Sequence, residues 1–566
     1  MKHWKRGLAA ALALLACLSC LSCLTGCGQE TADSGLSLTV CVGETPATYD
    51  PIYAAEPGEQ TILNHLYENL MRLEPDENGQ LQPVNAAARS VDVKENADGT
   101  VAYTFRLRGS KWSDGVEVKA ADFVYAWQRL ADPATGSAYA PLLSDISGYE
   151  EARASGDMNL LAVSAKNSST LVVTLKGRCD WFLREVCTSV AAMPLRRDVV
   201  KRLKQQADDA NEADAGDARW WSDPTRLVTN GPYTASAKDG TSLTLTENTS
   251  FAGKLSGPSE LVFRFGNAET AQVLYEQGVA DAVWPLTDAQ MAERMAEDEN
   301  RQLDPVLETY TVLFNCGRLE DTHVRRALSL VIDRPALAAL AGVTARAAEG
   351  LVPPGVPEGE ADFRTCGGSL LDNDPEAYEA HCQEALELLR EAGYDRGADL
   401  SRELGTLEYL YVDEGSNAAV AESLCEMWSR TLGLSVTPRA MVKTELATAM
   451  RSGDYTLAGM ALDTVCNDAE WFLEDWTSDS QDNFLHYENS AYDTLMSIIS
   501  VAQDNSARMG CLHDAEDLLL EIDCAMAPLY TRGTAWQLRD TLLGGFRDPR
   551  GWFDFLGVYP RPAAVQ

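Results

Sequence analysis

The chain has 566 residues, with 47 Lys plus Arg against 85 Asp plus Glu and a formal net charge of −38. A surface of that sign repels phosphate backbones and excludes nucleic acid as a partner. The length exceeds what one hydrophobic core supports, so two or three domains or lobes are expected.

The first element is a targeting segment. Lys2, Lys5 and Arg6 precede an uncharged apolar run from Gly7 to Leu24. Within and just after that run, Cys17, Cys20, Cys23 and Cys27 are spaced C-x₂-C-x₂-C-x₃-C, the spacing of a bacterial iron–sulfur run, which would also carry a Pro where Gly28 stands. Thiolates that hold a cluster sit in folded protein, whereas these end a basic, then apolar, then small-residue sequence that reads as a secretory signal. The run is too short and one-sided for a membrane span. Leu24-Thr25-Gly26-Cys27 resembles the lipobox of bacterial lipoproteins, which implies cleavage after residue 26 and a diacylglycerol on Cys27. Acyl chains contribute about 0.8 kcal/mol per buried methylene, so two or three tether a folded domain to a membrane surface. Residues 27–37 then form a short polar leash. Without residues 1–26 the chain has 44 basic and 85 acidic residues, a balance of −41. Ten cysteines follow Cys27 with no C-x₂-C pair, and both pairing and free buried thiols are open to them.

Further along, "EPDENGQLQPVN" (74–85) reads as a hairpin turn, since an EF-hand loop would need a bidentate Glu where Asn85 stands. Period-two alternation predicts strands at "VAYTFRLR" (101–108), around Leu171, Val173 and Leu175, and at Leu243 and Leu245. Ser113-Asp114-Gly115 is a turn, and "AADFVYAWQRL" (120–130) an amphipathic helix ended by Pro133. Helices are predicted at "ETAQVLYEQG", stopping at Gly278, and at 374–394, with Ala385, Leu386, Leu388, Leu389 and Ala392 on one stripe and Gly393 as the stop. The class is mixed α/β, without the regular alternation of one doubly wound sheet. Candidate boundaries lie at 206–219 and in "GLVPPGVPEGE" (350–360). Histidines 65, 323, 381, 486 and 513 show no metal-ligand spacing, and there is no nucleophile elbow, phosphate loop or nucleotide fingerprint. No catalytic residue, cofactor or metal is expected.

The block "LRGSKWSDGVEVKAADFVYAWQRLADPATGSAYAPLL" (107–143) resembles the signature region of the oligopeptide-binding family (solute-binding protein family 5) of ABC-transporter receptors. "TYDP" (48–51), "LYENLMRLE" (66–74), "TNGPY" (229–233), "VRRALSLVIDR" (324–334), "ELLREAGY" (387–394) and "MAPLYTRG" (526–533) fall in the family's order. Lys119 departs from it: family members usually have a Thr that caps the helix, so the capping box is expected to be lost at about 1 kcal/mol.

The resemblance implies a bilobed periplasmic-binding-protein-like clamp: lobe I from 38–80, 225–305 and 525–566, an inserted domain II at 81–224, and a C-terminal lobe III at 306–524. A peptide would be enclosed between lobes that close about a hinge, bonded along its main chain as an added strand is, with side chains in wet pockets and a carboxylate on its amino end. The family's Gly-Trp-x-x-Asp-Tyr motif, followed by Phe-Leu, falls on "AGMALDTVCNDAEWFLEDW" (458–476). Counting from Gly459 makes Asp463 the amine ligand; counting back from Phe472 without a gap reaches Val465, and Asp468 is a second candidate. Met460 and Val442 stand where the family has ligand-facing Trp residues, and methionine fills space without a fixed shape. Glu44, Thr45, Pro46 and Tyr139 lie where family members line the cleft. Implied partners are an oligopeptide, ABC permease subunits and, through Cys27, the outer face of the cytoplasmic membrane or the periplasm; a monomer is expected. A nickel chelate, an oligosaccharide or a signalling peptide is the alternative cargo, and peptide sensing without transport the alternative role. An anchored hydrolase would need a nucleophile–base pair or metal cluster that the sequence does not show.

Overall fold

The structure, a computed structural model, describes residues 35–562 except 78, 210–218, 256, 298–302, 396, 406, 501 and 503. The signal, Cys27 and most of the leash lie outside the described residues.

Three sheets organise the chain. The first, six-stranded, runs Gln537–Leu538, Ala282–Trp284, Ser37–Val42, Glu260–Arg264, Ser242–Glu247, Tyr233–Lys238. Its strand Ser37–Val42 is parallel to both Glu260–Arg264 and Ala282–Trp284, so distant parts of the chain share one sheet. The second is a four-stranded antiparallel sheet of Ala88–Glu95, Val101–Leu107, Thr170–Leu175 and Val163–Asn167. The third, six-stranded, runs Ala345–Ala347, Met526–Thr534, Asp304–Phe314, Leu457–Asp463, Leu407–Val412, Val436–Met441.

The expected lobe boundary at 525 needs correction. Met526–Thr534 pairs antiparallel with Asp304–Phe314 inside the third sheet, so the chain leaves that sheet only after Thr534. Its first six residues are all buried, with Met526 in one apolar cluster and Ala527, Leu529 and Tyr530 in another, because the strand has a packed layer on each face. The loop at 350–360 is no boundary either. Leu351, Val352 and Val356 pack into the cluster that holds Met526, and the Leu351 and Val352 N–H groups donate to Glu516 at 2.7 and 2.9 Å. Of 206–219, the first four residues continue the helix Arg197–Asp209, and 210–218 lie outside the described residues.

The expected local elements are present. Met71–Pro75 and Leu81–Asn85 form the hairpin, with Gly79 at φ +81° in its turn. The helix Ala120–Ala131 buries Phe123, Trp127 and Leu130. Half of its capping box survives: the Asp122 carboxylate accepts the Lys119 backbone N–H at 2.9 Å and the Trp112 indole N–H at 3.1 Å. On the helix Tyr378–Glu391, Cys382 joins Ala385 and Leu389 as buried residues, while Leu386 and Leu388 are only half-buried.

The motifs that carry the family resemblance are staples between segments. Asn230 accepts the Glu68 N–H at 3.1 Å and donates to the Glu68 carbonyl at 2.8 Å, fixing "TNGPY" on "LYENL". A Cβ on Gly231 would sit 2.6 Å from the Leu66 carbonyl carbon and 2.7 Å from the Tyr67 nitrogen, both backbone atoms. Gly231→Ala is therefore expected to cost about 1–3 kcal/mol by overpacking, read as a lower denaturant midpoint with an unchanged slope. In "VRRALSLVIDR", Arg325 donates to the carbonyls of Leu319, Glu320 and Asp523, just before the strand Met526–Thr534, and Arg334 to that of Pro528 within it.

Candidate functional site

The strand Leu457–Asp463 points its C-terminal end at a cavity of about 130 Å³ that chain segments of the first and third sheets close together. Ala54, Gln60 and Tyr139 wall one side, Asp463, Thr464 and Val465 the other, and Arg550 and Trp552 approach from near the C-terminus. This volume is below the roughly 300–1,000 Å³ of small-molecule sites, so an extended ligand needs the two sides further apart.

Tyr139 is held rigidly: its hydroxyl donates to the Ala54 carbonyl at 2.9 Å and accepts from the Gln60 amide at 2.9 Å. Burial, with nearby Glu59, Glu56 and Asp463 assisting against the Gln60 hydrogen bond, pushes its phenol up to about 12. Glu59 organises the approach to this wall. One of its carboxylate oxygens accepts the N–H groups of Ala47 and Thr48 at 2.8 and 3.1 Å, the other those of Ala55 and Glu56 at 3.1 and 3.3 Å. Arg550 is committed to Asp548, Glu185 and Thr188. The Asp463 carboxylate is exposed and makes no hydrogen bond or ion pair with the described residues. Its register partner Glu308 is paired to Arg532 at 3.1 Å, so no cation of that strand pair compensates Asp463.

Of the residues singled out from the sequence, the structure brings Asp463, Tyr139 and Val465 together here and places the others elsewhere. Glu44 and Thr45 are exposed and Pro46 half-buried in a loop outside the cavity. Met460 packs into the apolar cluster on one face of the third sheet, because its neighbours along the strand alternate between two cores. Val442 is 60% exposed and precedes the helix Lys443–Arg451. Asp468 is buried and bound to Arg508 at 2.5 and 3.1 Å, which leaves it no room as an amine ligand. Val465 lines the cavity but has no charge to offer. Gln60, Arg550 and Trp552 join the cavity without a local sequence signal beyond "RGWFDF" (550–555), an Arg and a Trp in a short aromatic run.

All ten cysteines among the described residues are free thiols. Among those residues there is also no cluster of three or more potential metal ligands, and no helix long and apolar enough to cross a membrane.

Segments of the first and third sheets thus meet across a cavity, with the Asp463 carboxylate uncompensated on its rim. The sequence matches the description "Bacterial extracellular solute-binding proteins, family 5 Middle" over residues 82–484, more than half of the chain. The protein belongs to that family, whose members are extracytoplasmic binding receptors and not enzymes. It is 29% identical over 511 residues to the probable deoxycholate-binding periplasmic protein YgiS of Escherichia coli K12, covering 88% of this chain and 89% of that one. It is 28% identical over 530 residues to the periplasmic oligopeptide-binding protein OppA of the same strain, covering 90% and 89%. The fold matches Haemophilus influenzae OppA in complex with the peptide RPPGFSPFR at a TM-score of 0.68 and 24% identity, covering 93% of this chain and 98% of that one.

Proposed function

We propose that this protein captures oligopeptides outside the cytoplasm and hands them to an ABC permease. In this reading the chain built on the first two sheets is one jaw and the C-terminal lobe on the third sheet the other. Cys27 carries a lipid that tethers the receptor to the outer face of the membrane. The observation that carries the cargo is the unpaired Asp463 carboxylate at the interlobe cavity, placed to take the ammonium of a peptide's amino end. The oligopeptide-binding relatives support the same cargo. A bile acid, the ligand named for the YgiS relative, would bring a like charge to Asp463, with Arg550 already committed to other partners.

A ligand that binds only the folded state raises the melting temperature by mass action. Pools of two- to eight-residue peptides are expected to stabilise the protein, with deoxycholate, oligosaccharides and nickel chelates leaving it unchanged. A flat response to peptides with stabilisation by one of the others would overturn the cargo assignment while leaving the clamp intact.

A further inference from the structure

Charge is balanced at one corner of the cavity and not at the others. Arg550 meets the Asp548 carboxylate at 2.7 and 3.0 Å and the Glu185 carboxylate at 3.2 Å, and Arg184 adds a second cation 3.3 Å from Glu185. Two guanidinium groups against two carboxylates leave that corner close to neutral.

The Tyr139 wall has no such balance. Glu59 is only 3% exposed, and its carboxylate lies 3.1 Å from the backbone nitrogen of Ala55, a residue of the cavity wall. Its four hydrogen bonds all come from neutral backbone N–H groups, and among the described residues no ammonium or guanidinium pairs with it. Glu56, exposed, begins the helix Pro57–Leu66 that carries Glu59. Asp463 lines the other side of the cavity. Glu59, Glu56 and Asp463 are the charges that act most strongly on the Tyr139 phenol, and all three are carboxylates.

Backbone donors hold a carboxylate in its charged form without cancelling its net charge. The field of Glu59 therefore reaches the cavity through a single layer of backbone, and low-dielectric walls focus such a field on whatever is bound. A peptide's amino end brings one positive charge, which answers Asp463. The charge behind the Tyr139 wall is left unanswered.

We propose that the cavity selects a second positive charge beside the amino end, so that its preferred cargo is peptides whose first residue is Lys or Arg, with Glu59 and Glu56 setting the preference; the statement rests on the peptide reading given above. A neutral first residue gains nothing from that wall, and an acidic one is repelled by it.

The test measures, by titration calorimetry at low and high salt, three tripeptides that differ only in their first residue: Lys-Ala-Ala, norleucine-Ala-Ala and Glu-Ala-Ala. Norleucine keeps the lysine stem and lacks the ammonium. Lys-Ala-Ala is expected to bind about tenfold more tightly than norleucine-Ala-Ala, and Glu-Ala-Ala about tenfold more weakly, both gaps narrowing as salt is raised. In Glu59→Gln the lysine-to-norleucine ratio should fall to about threefold. Equal affinities for the three peptides overturn the charge preference and leave the peptide reading standing, whereas binding of none overturns both. An unchanged ratio in a cooperatively melting Glu59→Gln overturns the role given to that wall. The amide oxygen of this variant accepts only two of the four N–H groups; should it not melt cooperatively, Glu56→Gln at the exposed start of the helix decides, and the parent's ratio in it overturns the proposal equally.

Discussion

Asp463→Asn is expected to weaken peptides with a free amino end by about 10- to 100-fold while leaving N-acetylated peptides within about twofold. Hydrogen bonds to charged groups contribute about 1.5–3 kcal/mol, and each 1.4 kcal/mol is a factor of ten in affinity. The substitution preserves shape and removes only the charge. Asp463 is exposed and makes no ion pair with the described residues, so the unliganded melting temperature should not move. Stability and affinity effects therefore separate cleanly. Titration calorimetry on matched free and acetylated peptides decides the matter. Equal losses for both would mean that Asp463 acts on the lobes and not on the amine, and would remove the main support for a peptide cargo.

How far the sequence showed this arrangement depends on which physical signal each element carries. Val101, Tyr103, Phe105 and Leu107 alternate because one face of their strand is buried more deeply than the other, and the structure buries all four. Met526–Thr534 lost that signal since both faces are packed, and a strand buried on both sides reads as a continuous apolar run. The helix cap at Lys119 departs from expectation for a different reason. A backbone N–H is available from any residue, so Asp122 keeps its half of the box whatever side chain stands at the cap. Spacing from Gly459 puts Asp463 ahead of Asp468 but leaves both open, because what separates them is burial and the presence of Arg508, a residue 40 positions from Asp468 in the chain. Gln60 and Arg550 meet at one cavity from opposite ends of the chain, and no local pattern encodes that meeting.

The other large effect is expected from Arg129→Ala, at about 3–5 kcal/mol of lost stability. Asp50 of "TYDP" is 0% exposed and accepts two hydrogen bonds from the Arg129 guanidinium, at 2.7 and 2.5 Å. Arg129 also lies over the rings of Tyr53 and Trp220, at 5.8 and 5.7 Å from their centroids. Deleting the cation strands a carboxylate in a site that was desolvated on the assumption of a partner, and that stranded charge is the larger part of the cost. Asp50→Asn combined with Arg129→Met should consequently cost less than Arg129→Ala alone, which a pair of chemical denaturation curves will show. The location of the pair gives the result a second meaning. Asp50 follows the first strand of the first sheet, whereas Arg129 sits on the helix packed against the second sheet. The pair makes those two layers one rigid jaw. If it does, Arg129→Ala should split a single unfolding transition into two, with the second-sheet layer melting first, and a transition that stays single would place the coupling in the shared apolar core instead.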